Sequence, residues 1–411
     1  MTTTTIIIIT FCVLLLIAYV FDLTSSKTNI PSVILLLLLG WGLRQITDIL
    51  EIQLPDFSIL LPVLGTVGLI LIVLEGSLEL NFSKSKIKLI NKSFLGALIP
   101  MLVTSMLIAL IFIIVGKYPL KESLINTIPF CIISSAIAIP SVKNLTPWKK
   151  EFIIYESSFS DILGVLFFTF MTINDVFDFS SFGKFGLQII LMIIISLIAT
   201  FGLSYLLSKI QHHIKFIPIT LIIILIYSIS EIYHLPALIF ILLFGLFLGN
   251  IDKIKFFKQT EKLHLDILKN EVLKLKELTV EATFLVKTIF FLVFGYLMET
   301  SEILNPSTIL WAIGIVIIIF CLRAVQLKLS KLPLKPLLFI APRGLITILL
   351  FLSIEPAQKI IFVNKSLIIQ VIILTALIMM VGLMTTKSDK ITEPEKTEDP
   401  PTSDIEEQIK Y

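Results

Sequence analysis

Residues 152–173 read FIIYESSFSDILGVLFFTFMTI. The run is long enough to cross a hydrocarbon core as a helix, which takes about 20 mostly apolar residues. Yet Glu156 and Asp161 lie inside it. Ionisable side chains at such depth are costly, face a protein interior or a water-filled path, and mark ion routes or proton relays. The two acids are five positions apart, about 140° around a helix, so they meet different neighbours. Ser157 and Asp161 are four apart and share a face.

The rest of the chain implies the same solvent. Of 411 residues, 56% are hydrophobic and 15% charged, against roughly 25% charged in soluble domains. The fold class is therefore all-α, a polytopic membrane protein with the lipid bilayer as its surroundings. Spans are expected at 4–21, 29–47, 57–80, 93–116, 122–142, 152–173, 184–208, 216–232, 235–250, 279–298, 306–327, 336–354 and 365–386, about thirteen transmembrane helices. Met1–Thr5 carries no Lys or Arg, and no small-residue cleavage site follows before Asp22, so the first span reads as a retained helix rather than a signal peptide.

Charge between spans alternates. Lys27, then Lys84 to Lys92, Lys143 to Lys150, Lys209 and Lys215, and Arg323 to Lys335 fall on one side. Asp48, Glu51, Asp56, Asp175, Asp178, Glu299 and Glu302 fall on the other. Positive loops stay in the cytoplasm, which puts the N-terminus outside and the C-terminus inside, in a cell (inner) membrane. Residues 252–277 mix Leu, Ile and Phe with Lys and Glu at helical spacing and read as an amphipathic cytoplasmic linker helix. The tail 387–411 is rich in Glu, Pro, Thr and Asp and reads as disordered.

An internal repeat organises the spans. IPSVILLLLLGWGL begins at Ile30 and LPALIFILLFGLFLG at Leu235; Pro31 matches Pro236, and Gly40 matches Gly245. Pro140 and Pro342 stand at nearly the same separation. Repeat one covers about 1–174 and repeat two about 216–386 of a transmembrane domain, 1–386. The matched spans run in opposite directions, so the repeats are inverted, the build of secondary transporters with a site at midplane. Pro140 is expected to interrupt its helix just after Ser134 and Ser135, and APRG at 341–344 to interrupt the partner. Carbonyls freed there, with serine hydroxyls, suit a bare cation.

Five buried ionisable residues stand out: Glu75, Glu156, Asp161, Lys287 and Arg343. Depth pairs Glu156 with Arg343 as a structural ion pair that fixes helix positions. Asp161 is the functional acid, with Lys287 as its neighbour; Glu75, nearer the cytoplasmic end, is a further candidate. Cys12, Cys131 and Cys321 lie in apolar stretches without a CxxC pair, and the four histidines sit at span ends or in the linker. No metal-ligand cluster, cofactor, nucleic-acid site or hydrolytic set is expected.

These motifs resemble the monovalent cation:proton antiporter superfamily, in particular the sodium/proton exchanger-like membrane domain, across residues 10–386. YESSFSDILGV at 155–165 is similar to that family's Glu-Ser motif followed by its ion-binding aspartate, here Asp161. Ser160 stands where the family usually has Asn or Asp, and the Thr-Asp-Pro triplet of some members is absent. FLVKTIFFLVFG at 284–295 places Lys287 at the family's central basic residue, and APRG supplies Arg343.

The resemblance implies crossed broken helices, a homodimer, and exchange of Na⁺ for H⁺ by alternating access. Asp161 would bind either ion, with Ser157, Ser160, Ser134 and Ser135 as oxygen donors and Lys287 as the basic partner. Burial disfavours charge on Asp161, and an ammonium beside it favours charge. A K⁺/H⁺ antiporter of the same fold is the alternative. A cation channel is another, and it would need a continuous polar lining or a charged ring.

Overall fold

The computed structural model describes residues 3–28, 30–52, 56–80, 84–142, 144–174, 178–209, 215–251 and 265–386. Among them every regular element is helical, in the order α1 (Thr3–Thr28), α2 (Ser32–Ile49), α3 (Leu60–Glu79), α4 (Ile87–Gly116), α5 (Leu120–Cys131), α6 (Ser135–Ser141), α7 (Pro147–Ile173), α8 (Phe179–Lys209), α9 (Phe216–Ile232), α10 (Leu238–Gly249), α11 (Leu265–Tyr296), α12 (Thr300–Ile303), α13 (Pro306–Leu329), α14 (Leu345–Ser353) and α15 (Lys365–Thr385). Each expected span holds one of these helices; the fifth holds two, α5 and α6. Ten are long and apolar enough to cross a membrane when α5 and α6 are taken together, and α9 and α10 are shorter apolar helices.

Packing sorts the helices into two bundles. In one, α2 lies on α11, α3 on α10 and α11, α8 on α10 and α11, and α1 on α2. In the other, α4 packs on α5, α7 and α13, α13 on α15, and α5 on α7 and α14. We call the first the scaffold and the second the core. The pairings obey the repeat: α2 on α11 mirrors α10 on α3, and α4 on α7 mirrors α13 on α15. Gly40 and Gly245, the matched glycines, explain two of these contacts. A Cβ at Gly40 would collide with the Leu292 carbonyl, and one at Gly245 with the Ser77 hydroxyl. Small residues let membrane helices approach backbone to backbone.

Two expectations change. Residues 265–277 of the linker form no separate surface helix; they run unbroken into the span as the start of α11, while 252–264 and the tail 387–411 lie outside the described residues. The first interruption falls at residues 132–134, not at Pro140, which lies within α6.

Candidate ion-binding site

The site forms where the two interruptions cross. The backbone N–H of Ser134 donates to the carbonyl of Pro342 at 2.9 Å, tying residues 132–134 to the non-helical segment before α14. A broken helix leaves donors that must be satisfied inside the protein, because lipid offers no partner. Beside Ser134, α7 supplies the acceptors. Ile133 N–H donates to Ser160 Oγ at 2.9 Å, and Ser135 N–H donates to Asp161 Oδ2 at 3.3 Å. The Ser135 hydroxyl donates to the same carboxylate oxygen. The location of the break follows: it opens where Ser160 and Asp161 can close the backbone account that Pro140 alone would not.

Asp161 is 1% exposed. Its Oδ1 has no hydrogen-bond partner among the described residues, nor does the buried Ser134 Oγ. Ser157 is also fully buried, and its hydroxyl donates to Ile153 O of its own helix at 2.7 Å. The structure thus brings Asp161, Ser134, Ser135 and Ser160 to one crossing and keeps Ser157 one helical turn away on α7.

Glu156 faces the other way, as its spacing from Asp161 requires. The expected pair with Arg343 is replaced. Glu156 takes both ends of the Arg323 guanidinium, at 3.1 and 2.9 Å, a bidentate geometry that holds the planar fork. Arg323 also donates through Nε to Leu337 O at 2.8 Å. Arg343 is committed to main chain: Nε donates to Phe130 O at 2.5 Å and Nη1 to Ala341 O at 3.0 Å. It covers the carbonyl end of α5, where partial negative charge collects. In the sequence Arg323 reads as one more positive charge of the following loop, beside its lysines. The signal was present, since it lies inside its own expected span, 306–327. Thr347 Oγ1, in the first turn of α14, is a second buried oxygen that reading passed over and has no partner among the described residues.

Lys287 is 8% exposed on α11, and Glu75 of α3 is among the charged groups it acts on. The basic residue is therefore placed with the scaffold acid, while hydrogen bonds to Asp161 come from Ser135. Gly76, next to Glu75, faces the Ser158 hydroxyl of α7, so α3 is the scaffold wall that borders the site helix.

Access differs between the two sides. A cavity of about 450 Å³ opens between α3, α7, α9 and α14, with Tyr227, Glu231 and Glu355 among its polar lining. Its lining includes Leu69, Val165 and Leu350, and Val165 stands one turn beyond Asp161 on α7. At the opposite end, the cleft between Glu79, Lys86, Glu151 and Tyr155 measures about 30 Å³. Among the described residues no group of three His, Cys, Asp or Glu side chains is arranged to hold a metal ion.

An inverted-repeat bundle with a buried acid at the crossing of two interrupted helices defines a secondary ion transporter. The sequence matches the transmembrane sodium/hydrogen exchanger family over residues 12–387. The chain belongs to that family, and it is a multi-pass membrane antiporter of cations and protons. Its fold is similar to that of the sodium proton antiporter MjNhaP1 from Methanocaldococcus jannaschii at pH 8, with a TM-score of 0.61, 19% identity, and coverage of 93% of this chain and 96% of that one. An electron-microscopy structure of the same antiporter matches with a TM-score of 0.61, 20% identity, and coverage of 93% and 95%. At these identities the likeness speaks for the fold alone. Comparison with curated protein sequences gave no match.

Proposed function

We propose that the chain exchanges Na⁺ for H⁺ across the cell (inner) membrane, with Asp161 holding one ion or the other but never both. The observation that carries this reading is the state of the Asp161 carboxylate. One oxygen is fixed by Ser135, and the other is buried with no protein partner among the described residues. A proton on Oδ1 neutralises the buried acid. A dehydrated alkali cation does the same, provided further oxygens replace its lost water. Ser134 and Ser135 stand at the break for that task. Ser160, which accepts one N–H, and Ser157, which donates to its own helix, each keep a lone pair. An empty, ionised Asp161 has only the Ser135 hydrogen bonds to offset its charge in the low-dielectric interior, so the core crosses only when loaded, and exchange is obligatory.

In this reading the core, carrying α7 and both interruptions, moves against the scaffold to expose the site to each side in turn. The apolar outer faces of α8 and α9 suit a homodimer interface. The charge alternation between spans places the N-terminus outside and the C-terminus in the cytoplasm. Lys287 and Glu75 border the path on the scaffold side and set its charge. Exchange that is insensitive to membrane potential would assign them a fixed charge through the cycle.

The test is cation-dependent collapse of a preset pH gradient in proteoliposomes, scanned over Na⁺, K⁺ and Li⁺. Collapse with Na⁺ at the lowest concentration is expected. A response to K⁺ alone would make the protein a K⁺/H⁺ antiporter of the same fold, and no response to any of the three would overturn the reading.

A further inference from the structure

The two bundles differ in charge where they end at the face that holds the first residues of α4 and α7. Three core helices finish there together. Gln326 of α13 and Glu156 of α7 both lie against Gly96 of α4; from that level α4 and α7 run roughly two and a half turns to their ends, while α13 ends within one turn, at Leu329, and the chain continues through Lys331 to Lys335. Lys86 reaches Glu151 at 2.6 Å, joining the start of α4 to α7. The three ends carry Lys86 just before α4 and Lys88 and Lys92 on it, Lys149 and Lys150 on α7, and Lys328, Lys331 and Lys335 on and after α13. Within residues 84–92, 144–151 and 328–335, the only acid is Glu151.

The scaffold end of the same face is nearly balanced among the described residues, and several of its charges pair with one another. Lys215 pairs with Glu271 at 2.7 Å, Lys274 with Glu271 at 3.4 Å, and Lys276 with Glu79 at 3.4 Å. Glu79, which borders the core rim beside Lys86 and Glu151, is thus engaged from its own bundle. A general bias toward positive loops would load both bundles alike; among the described residues the larger excess lies on the core.

The surroundings of this rim identify its partner. Ile87 and Leu329, set among the lysines, are 51% and 79% exposed, and Trp148 is 41% exposed beside Lys149. Such side chains sit in acyl chains or at the boundary between acyl chains and headgroups, where Trp is favoured. The anion present at that level is the phosphate of an acidic phospholipid, and clustered lysines next to membrane spans bind such headgroups. We propose that the end of the core bundle formed by α4, α7 and α13 is a docking surface for anionic phospholipid headgroups, which the scaffold does not share.

The test reads binding through Trp148 in the full chain with Trp41→Phe and Trp311→Phe, reconstituted in vesicles that contain brominated phosphatidylglycerol or brominated phosphatidylcholine. Preferential binding predicts half-maximal quenching by the anionic lipid at a mole fraction about fivefold lower, and a preference that falls as salt is added. The variant Lys88→Gln, Lys92→Gln, Lys328→Gln, Lys331→Gln should quench equally with both lipids. Lys209→Gln, Lys274→Gln on the scaffold should keep the preference. Equal quenching in the parent protein, or a preference that survives the fourfold core substitution, would overturn the proposal. The readout involves no transport, so it stands or falls separately from the role of Asp161.

Discussion

The two interruptions occupy corresponding places in the two repeats and are treated in opposite ways. At residues 132–134 the freed backbone donors are met by Ser160, Asp161 and the Pro342 carbonyl. In the segment before α14 the resident charge is Arg343, whose guanidinium covers the Phe130 and Ala341 carbonyls. A cation that belongs to the protein thus covers freed carbonyls on both breaks, while the freed donors of the first meet an acid with an oxygen uncommitted to any described residue. Pseudo-symmetry supplies a crossing with two equivalent halves; side chains turn it into a single site, the cation coming from one half and the acid beside the other being left to ions.

Removing the acid should have the largest effect. Asp161→Asn is expected to reduce cation-driven proton flux in proteoliposomes to the level of protein-free vesicles while thermal unfolding in detergent stays near the parent's. Exchange that continues in this variant would erase the distinction between the two breaks. Next in size is the brace behind them. Glu156→Gln leaves Arg323 buried without its counter-charge, a loss of about 3–5 kcal/mol in stability. Replacing both partners with Met should recover much of that, which a double-mutant cycle on denaturation midpoints measures.

Arg343→Gln strips a charge-assisted cover from two carbonyls and should cost about 2–3 kcal/mol. If stability were unchanged, the idea that the second break needs its own cation would be wrong. The smallest expected effect sharpens the first half. Ser135→Ala keeps the N–H to Asp161 and loses the hydroxyl, which should raise the apparent KM for Na⁺ about fivefold, near 1 kcal/mol, with little change in maximal rate.

The sequence disclosed the membrane class, the thirteen helical stretches and the repeat, because each rests on local quantities: apolar run length, loop charge, and matched Pro and Gly positions. Asp161 and its serines were also legible, since an acid within FIIYESSFSDILGV has few structural excuses. What failed were pairings. Arg323 and Arg343 both lie at a depth that reaches Glu156, and only three-dimensional packing decides that the first takes the carboxylate and the second the backbone. Lys287 also acts on Glu75, because α11 packs on α3 as well as α2. The break moved from Pro140 to Ile132–Ser134 for a like reason: a proline advertises a missing donor, but the helix parts where a neighbour can accept the donors released.

The single backbone bond from Ser134 to Pro342 joins the two interruptions directly. In the proposed cycle they therefore travel as one rigid piece, and the oxygens around the ion are not reassembled between one side and the other. Discrimination among alkali ions should then be identical whichever compartment delivers them, and only the gradients would decide which way the exchange runs.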